Sequence, residues 1–375
     1  MDFVKYGIIG CGSAWSFHSV GSKNNPKMKF VSAFDVDEKR VNRAAKRLKM
    51  TPFTNLKDFL NSDIDAVLIM VPHFLHEEMV IAAAKAGKHV LCEKPMATTL
   101  EGCDQMITAT KNAGVKFMIA ENHRFLPAHQ YIYNAVQNGL IGDVFLVRAY
   151  EGVNEISGLM KGGFWKGHPI KAGGGTLMDM GAHKFATMNW ILNDEPESAN
   201  AWLTKQCTNL DEKAEDNALM HLKYRKGAIA EVVVSFSVIS PPTNTLEIYG
   251  TEGSIIENHE WDNPVKIFSS HESMGANRGA WYVPIDIEHG PFPKYYEISA
   301  RIEDDYFTNC ILEDKEPEFT PEHAKDAIAS VLLGYLSAKL GRTANYNELM
   351  EIYRNKGTKT ILLDLEKFVQ CNCCP

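Results

Sequence analysis

The chain has 375 residues, with 39 Lys and Arg against 47 Asp and Glu and a formal net charge of −8. That length exceeds one ordinary core and predicts two domains, while an acidic balance without a long basic run makes nucleic acid and anionic membrane poor partners. No stretch of about 18 apolar residues is available to span a bilayer. Met1-Asp2-Phe3-Val4-Lys5-Tyr6 runs into an apolar strand without a basic region and cleavage site, so a soluble cytoplasmic chain is expected.

Residues 4–9 form an apolar run that reaches Gly10-Cys11-Gly12 and a helix-forming segment, and 29–34 make a second strand ending at Asp35. Further apolar runs at 66–71, 89–92 and 116–120 alternate with segments of helical period at 75–86 and 98–113. Such alternation predicts an α/β, doubly wound parallel sheet, and the near-continuous apolar runs are those of strands covered on both faces. The expected doubly wound, nucleotide-binding domain is 1–122.

After residue 122 the rhythm changes. Strands are expected at 144–153, 199–208, 217–224, 228–238, 245–250 and 253–257, with turns at Lys226-Gly227 and Gly250-Thr251-Glu252-Gly253 and helices near 127–138, 178–193, 298–313 and 321–340. Residues 123–375 therefore read as an α+β domain with a large, open, mostly antiparallel sheet, serving substrate binding and oligomerisation. The segment 259–297, rich in Gly, Pro and aromatic residues, is expected to be a long loop.

Eight cysteines are scattered except for Cys371, Cys373 and Cys374, a pattern of reduced thiols in a large intracellular chain. The tail lacks the paired spacing of a structural zinc site, and His73 and His76 are expected to pack or hydrogen-bond, so no metal is predicted.

Gly10 and Gly12, with Ser13 and Ala14 opening the helix, let a diphosphate approach the backbone and meet N–H groups at the helix N-terminus. The third small residue of the usual fingerprint is replaced by Trp15. Asp35, at the end of the next strand, can accept hydrogen bonds from ribose hydroxyls and would repel a 2′-phosphate. NAD is expected in preference to NADP, although the guanidinium of Arg40 could hold a phosphate.

Gly173-Gly174-Gly175 precedes Asp179 and His183, which share one face if the segment is helical. An imidazole suits removal of a carbinol proton near neutrality, and Asp179 could orient that ring or reach the substrate. Lys94, between Glu93 and Pro95, offers positive charge where alkoxide character develops. These residues predict an oxidoreductase acting on an alcohol, with the ammonium from one half and the acid–imidazole couple from the other meeting over the cofactor.

The segments 71–76, 87–95, 122–127, 139–142, 173–183 and 250–255 together resemble the glucose–fructose oxidoreductase / inositol dehydrogenase family, Gfo/Idh/MocA. The resemblance implies a Rossmann domain followed by an open-sheet α/β domain, and NAD(P)-linked chemistry on sugars, inositols and their relatives. It places Pro72 and His76 on the cofactor side along with Glu93 and Lys94, and gives Lys94, Asp179 and His183 catalytic roles. Members often carry a polar residue three positions after the histidine, where this chain has Ala186. Substrate contacts are then sought in Arg124, Glu151, Trp165, His168 and Lys171, beside Lys94, Asp179 and His183.

The expected activity is hydride transfer between a secondary hydroxyl of a sugar, glycoside or cyclitol, such as C3 of a glucoside, and nicotinamide. Two alternatives stand: a glycoside hydrolase or lyase that oxidises its substrate transiently with NAD, and a non-catalytic NAD-binding regulator. A homo-oligomer, dimer, tetramer or larger, is expected because an open sheet face needs cover.

Overall fold

The structure is a computed structural model that describes residues 2–12, 14–21, 25–159, 165–206 and 214–371. The chain folds as two compact units, Met1–Phe125 with Tyr296–Lys325, and Leu126–Tyr295 with Asp326–Pro375. The segment Tyr296–Lys325 thus belongs to the first unit, although its position in the sequence suggested the second domain.

In the first unit six strands, β1 (Val4–Ile9), β2 (Met28–Phe34), β3 (Thr51–Phe53), β4 (Ala66–Ile69), β5 (His89–Glu93) and β6 (Phe117–Ala120), lie in the order β3-β2-β1-β4-β5-β6. Every pairing is parallel. Ile8, Ile9, Val67, Leu68, Val90 and Leu91 are fully buried, as aliphatic runs with helices on both faces must be. The short edge strand β3 was not anticipated; three residues carry too little periodicity to announce a strand.

Trp15, standing where a small residue was expected, buries its ring edge-on against Phe30 at 5.2 Å between centroids. It packs the helix Trp15–Gly21 where a small residue would allow closer helix–strand approach.

Among the described residues the second unit has ten strands: β7 (Val144–Gly152), β8 (Pro196–Lys205), β9 (Asn217–Tyr224), β10 (Ile229–Ser235), β11 (Thr243–Gly250), β12 (Gly253–Asn258), β13 (Val265–Ser269), β14 (Trp281–Tyr282), β15 (Ala344–Asn345) and β16 (Gln370–Cys371). Their order is β14-β13-β12-β11-β7-β10-β9-β8-β15, with β16 also on β8. Only the β7–β10 and β8–β16 pairings are parallel among the described strands. The expected open, mostly antiparallel sheet is present. Strands β13 and β14 occupy part of 259–297, where a loop was expected.

The helix Thr176–Leu192 lies across β7, β9 and β10, and the helix Pro127–Gln137 packs against it, with Tyr133 stacked on Trp190 at 4.3 Å. Among the described residues no helix is long and apolar enough to cross a membrane. Cys11, Cys92, Cys103 and Cys310 are free thiols; Cys207, Cys373 and Cys374 lie outside the described residues.

Candidate functional site

The turn after β1 is built for close approach. Gly10 has φ +93°, and a side chain there would strike the carbonyl of Met70, so only glycine fits. Gly12 is exposed, and a Cβ on it would meet nothing within 4 Å, leaving open space beside the turn. Asp35 is 8 % exposed and ties the turn to the end of β2: Oδ2 accepts the N–H of Cys11 at 2.8 Å and Oδ1 that of Asp37 at 2.9 Å.

Ala14 follows, half-buried, and Ser13 lies outside the described residues. Arg40 is exposed on the next helix and pairs with Asp37 at 3.4 Å.

His76 is fully buried, its Nδ1 2.8 Å from the Pro95 carbonyl and its Nε2 2.9 Å from that of Val71. It sits between the loop around Pro72 and the segment that follows Lys94, and in its neutral form donates to one of the two carbonyls. Burial lowers its pKa to about 4, with nearby His73 adding to the effect, so the ring is neutral.

Lys94 stands just beyond β5, and its backbone N–H donates to Glu93 Oε2 at 3.1 Å. The other oxygen of Glu93 meets Nε2 of His18 at 3.2 Å, while His18 Nδ1 meets Asp304 at 2.9 Å. Burial opposes charge on His18, but Asp304 and Glu93 outweigh it and hold the imidazole protonated well above its ordinary range. Arg124, also in the first unit, lays its guanidinium over Phe319 at 4.8 Å.

In the second unit Asp179 and His183 are each 3 % exposed, one turn apart on the helix Thr176–Leu192. The glycine hinge positions that helix. Gly174 has φ +133°, and a Cβ there would collide with the hydroxyl of Tyr335. Glu215 Oε1 accepts the N–H groups of Gly175 at 3.0 Å and Leu177 at 2.9 Å, together with the Tyr335 hydroxyl at 2.6 Å. A buried carboxyl thus caps the orphan donors of the helix that carries the pair. Burial raises its pKa to about 7.

Residues 4–121 match the oxidoreductase family with NAD-binding Rossmann fold, and residues 129–256 match the GFO/IDH/MocA C-terminal domain. The chain belongs to the GFO/IDH/MocA oxidoreductases. It is 35 % identical over 285 residues to 1,5-anhydro-D-fructose reductase of Ensifer adhaerens, covering 75 % of this chain and 80 % of that one. It is 27 % identical to myo-inositol 2-dehydrogenase of Thermotoga maritima, covering 90 % and 96 %. Its fold is similar to that of levoglucosan dehydrogenase solved with NADH and L-sorbose, with a TM-score of 0.83 at 23 % identity over 92 % of this chain and 99 % of that one.

In this GFO/IDH/MocA oxidoreductase three polar residues were not foreseen from the sequence, the half-buried Lys166 and the buried Lys184 and Glu215. Lys166 sets its ammonium 2.9 Å from Asp179 Oδ2 and 3.6 Å from Glu155. Burial disfavours that charge, and the two carboxylates more than offset it, raising the pKa above the usual lysine value. Lys184, beside His183, is 2 % exposed; it contacts Asn244 Oδ1 and lies 3.5 Å from Glu151. Glu151 and Asn244 are direct cross-strand neighbours on β7 and β11. A lone lysine in so apolar a helix was the available signal, since a buried charge must be paired. Glu215 gave no local signal.

Of the remaining candidates, Glu151 is 2 % exposed and faces Lys184, His168 caps the N–H of Lys171 at 3.4 Å, Lys171 is exposed, and Trp165 is half-buried. Ala186 is buried, so that position presents no polar group.

Proposed function

We propose that this oxidoreductase moves hydride between NAD and a secondary hydroxyl of a cyclic polyol, a sugar, glycoside or cyclitol, C3 of a glucoside being one candidate position. The observation that carries the reading is the buried Asp179–His183 couple on one helical face, with a lysine ion-paired to its carboxylate. The two relatives named above, one for a reductase of an anhydro-sugar and one for a dehydrogenase of inositol, support the substrate class.

The glycine turn and Asp35 fit a dinucleotide. The turn is bare of side-chain bulk at Gly12, and each oxygen of Asp35 spends one lone pair on a backbone N–H, leaving capacity for ribose hydroxyls. Such an acid disfavours a 2′-phosphate, hence NAD over NADP. Bound NAD supplies the hydride acceptor, or as NADH the donor.

The chain's own residues manage the proton. His183 takes the hydroxyl proton at its imidazole, a contribution of about 10²–10⁴-fold in rate. Asp179, fixed by Lys166, orients that ring or the hydroxyl, and the Lys94 ammonium stabilises the developing alkoxide. Self-association through the open face of the ten-stranded sheet, where Trp202 is 46 % exposed, belongs to the same proposal.

The test is a panel of hexoses, inositols, anhydro-sugars and aryl glycosides followed at the reduced-nicotinamide absorbance, with native mass spectrometry for bound nucleotide. Net reduced cofactor from a cyclic polyol is expected, falling about 100-fold or more in His183→Asn and Lys94→Met. Substrate turnover without accumulated reduced cofactor would favour transient oxidation, and nucleotide binding with no turnover would favour a regulator.

A further inference from the structure

A second polar cluster in the second unit is made of residues that hydride transfer does not use. His129 on the helix Pro127–Gln137, Glu257 on β12 and His259 just beyond it are 1 %, 0 % and 1 % exposed. One ligand atom from each lies within 4.8 Å of the others. His129 Nε2 stands 3.3 Å from Glu257 Oε1, and His259 Nε2 contacts the same oxygen. Neither oxygen of Glu257 and neither ring nitrogen of His259 has a well-formed hydrogen bond among the described residues.

Buried polar atoms left unsatisfied cost about 1–3 kcal/mol each, more when charged. An ion pair alone answers only part of this. Two imidazolium rings flanking the carboxylate would bury a net positive charge, and His259 Nδ1 and the second carboxylate oxygen would still lack partners. One cation at the point of convergence can engage Glu257, His129 and His259 together.

We propose that His129, Glu257 and His259 bind a divalent transition-metal ion of the zinc type. Two imidazoles and one carboxylate suit zinc and its neighbours rather than magnesium or calcium, which prefer all-oxygen shells. Zinc–ligand bonds of about 2.0–2.2 Å in a tetrahedron put ligand atoms about 3.3–3.5 Å apart, matching the edge from His129 to Glu257. A water fills the fourth position.

The surroundings give the ion a structural task. Tyr295 stacks on the His259 ring at 4.4 Å, and His289 Nε2 lies 3.0 Å from the His259 carbonyl. Both belong to the segment 259–297, so the metal pins that segment to the end of β12 and to the helix Pro127–Gln137.

The experiment uses the full chain, stripped with a chelator and titrated with zinc against a chromophoric competitor, and with cobalt(II) followed in the visible range. One zinc per chain is expected, with affinity falling about tenfold or more in Glu257→Gln and His259→Gln. Cobalt should give the absorption of a low-coordinate nitrogen–oxygen site without thiolate charge-transfer bands. If the variants do not fold, the wild-type cobalt spectrum and His129→Gln decide. Failure of the wild-type chain to hold zinc, unchanged affinity in the variants, or thiolate bands assigning the ion to the cysteines would each overturn the proposal.

Discussion

The ammonium of Lys166 lies 2.9 Å from the Oδ2 of Asp179, so the carboxylate one turn before His183 carries a fixed counter-charge. Lys166 also reaches Glu155. The pair makes a buried acid compatible with ionisation at neutral pH, because an opposite charge offsets the cost of desolvation.

Replacing Lys166 with methionine, similar in length but uncharged, removes that offset. The carboxyl of Asp179 should then hold its proton to higher pH, moving the acidic limb of the kcat/KM profile up by about one unit or more, with kcat down about 10- to 100-fold. The folded-state pKa of Lys166 is raised, so its stabilisation is complete below about 10.5 and is lost only as pH rises through the higher folded value. Across the assay range the wild-type pair is intact. An unchanged acidic limb in Lys166→Met would separate Lys166 from the chemistry.

Glu215 makes a second prediction, because its raised pKa has a definite sign. A carboxyl that titrates at about 7 when folded and near 4.5 when unfolded binds its proton more tightly in the native state. Its contribution is fully present below about 4.5 and is lost as pH rises through about 7, a swing of about 3 kcal/mol at ~1.4 kcal/mol per pH unit. Glu215→Gln keeps an acceptor for Gly175 and Leu177 and removes the titration. Urea midpoints of wild type and variant from pH 4.5 to 8 should therefore diverge in slope, the variant losing less stability as pH rises. Parallel curves would remove Glu215 as a titrating clamp.

Five of the six parallel strands and the open second sheet were readable because burial on one or two faces leaves a period in the sequence. Asp179 and His183 were readable for the same reason, since helical spacing announces a shared face. Lys166, Glu215 and the His129–Glu257–His259 cluster were not. Their partners lie far along the chain or in a loop, so no local spacing records the contact. Glu151 shows the limit from the other side: its flanking position singled it out, but its pairing with Lys184 is legible only once β7 and the helix Thr176–Leu192 are packed. Trp15 broke the fingerprint without breaking the fold, because Phe30 receives its ring.

His76 supplies the last prediction and opposes Glu215 in the same pH window. Its ring is neutral when folded, titrating at about 4 against 6.5 unfolded, so its contribution is present above 6.5 and is lost as pH falls through about 4. That loss is again about 3 kcal/mol, now on the acid side. A neutral imidazole donates to only one of the Val71 and Pro95 carbonyls, a hydrogen bond that His76→Gln can keep, so the cost near pH 8, about 1 kcal/mol, comes from fitting a flexible amide into a fully buried ring site. Between pH 6.5 and 4 the variant should lose less stability than wild type, so the two curves converge in acid. The same substitution loosens the segment next to Lys94, and kcat should fall even where the fold is fully populated. If denaturation curves at pH 8 and pH 4.5 keep a constant gap between wild type and variant, the buried neutral imidazole is not the source of the acid sensitivity.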